Sequence, residues 1–144
     1  MVGGRWNPRR SFAVLYLGTA IETVVAEFHR LAAKQLLAPD SFLPRTLYSY
    51  DVDLHNVLDM REPETREALG LDMERLTGDD LSACQAIGEA AFTCGREGIV
   101  APSATGVESV LAVFPERLMP GSAIHDVSAE IWETVPPGPE QITE

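Results

Sequence analysis

The chain has 144 residues with 22 Asp and Glu against 11 Lys and Arg, a formal net charge of −11. That balance argues against direct nucleic-acid binding, which needs clustered cations to neutralise phosphates. With 45% hydrophobic residues and a mean hydropathy of −0.01, it reads as one ordinary globular domain, residues 1–135, in the cytoplasm. No run is apolar enough to span a bilayer, and no start resembles a signal peptide.

The opening stretch Gly3-Gly4-Arg5-Trp6-Asn7-Pro8 is a turn, with two glycines, an arginine suited to an anion and a tryptophan with a broad apolar face. Phe12–Gly18 is a continuous apolar run of strand length and predicts a buried strand. Thr19 and Glu22 form a capping box, opening a helix to about Gln35 that turns Ile21, Val24, Val25, Phe28, Leu31 and Ala32 toward the sheet. Arg45–Leu54 alternates as a half-buried strand, with Asn56–Met60 continuing it past a kink.

Pro63–Leu69 predicts a short helix capped at Gly70. A further helix starts at Gly78-Asp79-Asp80 and closes at Gly95, with Cys84, Ile87, Gly88, Ala91 and Cys94 along one stripe. The two cysteines on it would lie about 15 Å apart, too far for a disulfide, and read as buried free thiols. Gly98–Ala101, Val110–Phe114 and Ala123–Ile131 are strands, and the proline-rich tail from Pro136 is expected to be disordered. The sum is a mixed α/β domain of about five short strands and three or four helices. His29, His55 and His125 are scattered and no CxxC or HExxH spacing occurs, so no metal site is expected.

Three side chains invite a functional reading beside a plainer one. Glu27 lies about 100° from the centre of the apolar stripe, where a carboxylate reaches the edge of a cleft or pairs with Arg30 one turn on. Tyr16, inside a strand, needs a hydrogen-bond partner or a cavity mouth. Ser103 follows a strand end, a place that lines sites in α/β sheets and equally suits a turn serine. No GxSxG, P-loop or GxGxxG is present.

In this order on the chain, GGRWNP, AVLYLGTAIETVVAE and GIVAPSA resemble the RES domain family, and AVFPERL (residues 112–118) is similar to its closing strand. The likeness covers about residues 3–120. It implies an ADP-ribosyltransferase-like fold, a small mixed or antiparallel sheet with flanking helices, and an NAD+-degrading toxin that cleaves the nicotinamide–ribose bond by hydrolysis or phosphorolysis. A cognate antitoxin would hold it inactive, in an oligomer with it, with no membrane or direct nucleic-acid contact.

By the same resemblance Glu27, Arg5 and Tyr16 are catalytic. Arg5 would grip the pyrophosphate, Tyr16 would contact the nicotinamide ribose, and Ser103 would donate to the ribose or base. No metal is called for, because nicotinamide leaves as a neutral group. Two departures qualify the match. The strand and second arginine that family members carry before the glycine pair are missing ahead of Met1, which implies an N-terminal truncation or a start assigned too late. Val110 stands where the family has an asparagine. The alternative is a catalytically degenerate RES-fold binding module that only engages a partner protein.

Overall fold

The computed structural model describes residues 3–136. Along the chain run β1 (Leu15–Gly18), α1 (Ile21–Lys34), β2 (Arg45–Asp53), β3 (Val57–Asp59), α2 (Pro63–Ala68), α3 (Met73–Thr77), α4 (Ser82–Thr93), β4 (Gly98–Pro102), β5 (Ser109–Val113) and β6 (Ala123–Trp132). The fold is mixed α/β, as expected. Apart from Pro136 itself, the tail expected to be disordered lies outside the described residues.

The strands form two sheets. One has the order β1-β5-β4-β3, antiparallel except for the parallel pair β3–β4, and β2 and β6 make a separate antiparallel ribbon. Asn56–Met60 therefore does not prolong β2; it crosses to the other sheet as β3. The cause lies in Glu97, fully buried just before β4. One of its carboxylate oxygens accepts the N–H groups of His55 and Asn56 at 2.8 and 2.9 Å, and the other accepts Met119 N–H at 2.8 Å. Burial pushes its pKa up, but hydrogen bonds from Met119, Ser122, His55 and Asn56 outweigh it and hold the value at about 2. One charge thus pins both connections between ribbon and main sheet. At the ribbon's other end Trp132 and Phe42 meet Phe28 of α1 edge-on, at 6.0 and 6.2 Å.

The core sits between the four-stranded sheet and the α3–α4 side of the fold. Trp6, Phe12, Met60, Leu71, Leu76, Cys84, Ile99 and Phe114 are among its members, and Phe12 stacks on Phe92 at 4.1 Å. Gly88 of α4 is obligatory here, because a Cβ on it would lie 1.7 Å from the Trp6 carbonyl oxygen.

Several local expectations are corrected. β1 begins at Leu15, since the Phe12 carbonyl accepts Asn7 Nδ2 at 2.9 Å instead of joining a ladder. It is an edge strand, with Tyr16 37% exposed. The Thr19 hydroxyl bonds Ser109 of β5 rather than the helix, so α1 starts after Ala20 with no side-chain cap. On α1, Ile21 and Leu31 are exposed while Thr23 and Ala26 are buried, because small residues allow the helix to approach closely. The helix α3 is an addition, and Cys94 is exposed although Cys84 is buried.

Candidate functional site

The N-terminal loop closes on itself through Gly4 N–H donating to the Asn7 carbonyl at 2.9 Å. It presents Arg5, one of whose guanidinium nitrogens donates to the carbonyls of Leu76 and Gly78, both at 2.9 Å. Those acceptors end α3, so the arginine caps that helix while also lining a cavity. Gly4 stands against Tyr16, where a Cβ would come within 2.5 Å of the phenol oxygen. This close approach, rather than a ligand, is what the structure shows the glycine to serve.

The Tyr16 hydroxyl donates to Asn7 Oδ1 at 2.6 Å and accepts Trp6 N–H at 3.0 Å. Burial raises the phenol's pKa, against the backbone hydrogen bonds that lower it, so it is neutral at physiological pH. Asn7 and Trp6 hold the turn in place and fix the tyrosine.

Glu27 comes inward from α1 because burial on that helix extends round to Thr23, about 40° away at 100° per residue. Its partner is Ser103, which donates to Oε1 at 2.8 Å; Arg30 instead pairs with Asp79. Ser103 is only 2% exposed and lies at the end of β4. A carboxylate only accepts, so the Ser103 proton points to Glu27. Ser103 Oγ is also 2.7 Å from Thr105 Oγ1 and 3.1 Å from Thr105 N–H. The Thr105 hydroxyl must therefore donate to Ser103, and it accepts Val107 N–H at 3.2 Å. Donors run one way, from Val107 through Thr105 and Ser103 to Glu27.

Arg5, Tyr16, Glu27 and Arg30 line a single cavity of about 340 Å³, floored by Ala101, Pro102 and Val110. A larger cleft of about 610 Å³ between β1 and the ribbon shares Tyr16, Leu17, Gly18 and Val24 with it. Three of the four residues singled out in the sequence thus meet in one cavity, and Ser103 sits behind Glu27. Sequence reasoning missed Thr105, two residues past Ser103, and left Arg30 only as a partner for Glu27. The i, i+2 hydroxyl pair in Ser103-Ala104-Thr105 was the available signal for the first. Among the described residues no group of three or more His, Cys, Asp and Glu is placed to hold a metal ion. No described helix is long and apolar enough to cross a membrane.

The chain that builds this fold and cavity has relatives among known families. The RES domain matches residues 1–134, and the chain belongs to that family. The relatives include the NAD(+) phosphorylase MbcT of Mycobacterium tuberculosis and of Mycobacterium bovis, each 36% identical over 121 residues, 83% of this chain and 65% of the relative. The chain thus spans a little under two thirds of the length of these relatives. Among solved structures it resembles a chain of the M. tuberculosis MbcT–MbcA toxin–antitoxin complex, with TM-score 0.79 and 34% identity over 90% of this chain and 72% of the other. The resemblance read from GGRWNP, AVLYLGTAIETVVAE and GIVAPSA is borne out, and the fold is that of a RES domain.

Proposed function

We propose that this chain is an NAD+-consuming toxin that cleaves the nicotinamide–ribose bond, with a cognate antitoxin as its partner in the cytoplasm. The observation that carries the reading is Glu27. Its carboxylate has one oxygen held by Ser103 and opens on the cavity lined by Arg5 and Tyr16. Family membership and the activity named for MbcT support it.

Cleavage leaves an oxocarbenium-like ribose carbon, and a fixed carboxylate stabilises that charge or holds a ribose hydroxyl. With Oε1 committed to Ser103, Oε2 is the oxygen left for the substrate. Tyr16 offers a neutral phenol beside the nicotinamide ribose. Arg5, anchored through one nitrogen, keeps a flat cationic face for the pyrophosphate. NAD+ is larger than the smaller cavity, and the shared wall at Tyr16, Leu17, Gly18 and Val24 lets the dinucleotide extend into the neighbouring cleft. No step calls on a metal ion.

The test is release of nicotinamide from NAD+ by the purified protein, with and without inorganic phosphate. Wild-type protein should turn over, and Glu27→Gln should lose about a thousandfold in rate while remaining folded. Folded wild-type protein inert in both buffers would leave the binding-module reading in its place.

A further inference from the structure

Arg30 is in the cavity but has no part in the chemistry above. It follows Glu27 by three residues, hence about 4.5 Å further along the axis on a neighbouring line of α1. Its side chain is 27% exposed and lies 3.3 Å from the carboxylate of Asp79, which is 77% exposed and also binds Lys34 at 2.9 Å. Arg5 reaches the same loop at the Gly78 carbonyl. Three cations, one of them the chain's single lysine, therefore gather on one short loop of a protein whose net charge is −11.

We propose that Arg30 and Lys34 form a phosphate-recognition site at the outer end of the cavity, occupied in the free protein by the Asp79 carboxylate as a displaceable stand-in. The physical case rests on unequal strengths. An exposed ion pair such as Arg30–Asp79 contributes little and is screened by salt. A doubly charged oxyanion meets the flat fork of arginine with two charge-assisted hydrogen bonds and adds the lysine's point charge. Asp79 is exposed and free to swing aside, so exchange needs no movement of the core.

The site deepens the NAD+-cleaving reading and rests on it for the identity of the anion, which has two sources. It can be inorganic phosphate serving as acceptor beside Glu27. In that case a phosphate oxygen bonds the ribose carbon as the carbon–nitrogen bond breaks, and its electron pair leaves on neutral nicotinamide. The products are nicotinamide and ADP-ribose 1-phosphate. The alternative source is the pyrophosphate of the dinucleotide itself.

The test is calorimetric titration of the purified chain with inorganic phosphate alone and with ADP-ribose alone, a probe that carries the pyrophosphate but no nicotinamide. Arg30→Gln should weaken one probe by at least about tenfold, and Asp79→Asn should tighten the same probe about three- to fivefold. The probe that moves identifies the source. If the pair is merely structural, both variants shift binding the same way or not at all, and the proposal fails; it fails equally if the wild type binds neither probe. Should Arg30→Gln not fold, the surface change Asp79→Asn decides alone by its sign. None of these readings needs turnover, so a chain that binds phosphate yet releases no nicotinamide would defeat only the catalytic reading.

Discussion

The four-stranded sheet and the β2–β6 ribbon are built on opposite terms. In the sheet, β4 (GIVAP) and the end of β5 are buried, and the side chains around the cavity are locked by hydrogen bonds to one another or to backbone. The ribbon is mostly exposed on both strands, carries a register shift beside Ser49 and Tyr50, and leaves Val127 60% exposed. It is held at its two ends, by Glu97 and by the Phe28–Phe42–Trp132 cluster. Precise placement of the cavity side chains thus belongs to the sheet together with α1 and the N-terminal loop packed on it, while the ribbon forms one wall of the larger cleft and depends on its anchors.

The comparison breaks most severely at Glu97. Replacing it by alanine leaves three part-buried backbone N–H donors without their acceptor, and a loss of about 3 kcal/mol is expected from urea unfolding. The pH dependence has a definite sign. A carboxyl held at about 2, below its usual 4.5, contributes stability that is fully present above pH about 5 and is lost as pH falls toward 2. Glu97→Gln should flatten the acid limb of the stability curve in that window. Next in size is Gly88→Ala, whose Cβ meets the Trp6 carbonyl at 1.7 Å. Pushing that loop off α4 should cost about 1–3 kcal/mol and shift Arg5, so thermal stability and nicotinamide release should fall together.

How much of this was legible in the sequence follows the same divide. The bounds of β4, β5, β6 and α2 came within a residue or two, because apolar runs, alternation, Pro63 and Gly70 are local signals. The site was legible as an ordered series of Arg5, Tyr16, Glu27 and Ser103 only through the family resemblance. What stayed hidden depends on contacts far along the chain. Thr19 has the chemistry of a cap, yet Ser109, 90 residues away, takes its hydroxyl. The crossing of residues 56–60 to the other sheet depends on Glu97, about 40 residues on. No periodicity carries such information. The donor chain through Thr105 is visible only once β4's end is folded against α1.

A smaller effect should come from Thr105→Val. The hydroxyl that orders Ser103 disappears, and Ser103 can then turn its proton away from Glu27. A fall of about tenfold in kcat with little change in KM for NAD+ is expected, and Thr105→Ser should recover most of it. Equal losses in both variants would assign Thr105 to packing instead.

The smallest effect sharpens the contrast from the ribbon's side. Val127→Ser removes an exposed apolar side chain at the register shift, where no core contact is lost, so stability should stay within about 0.5 kcal/mol. Nicotinamide release should also hold, because both anchors and every bonded group of the cavity are left intact. A marked loss of turnover with unchanged stability would show that the ribbon's outer surface reaches the chemistry after all, and would end the division of labour between ribbon and sheet.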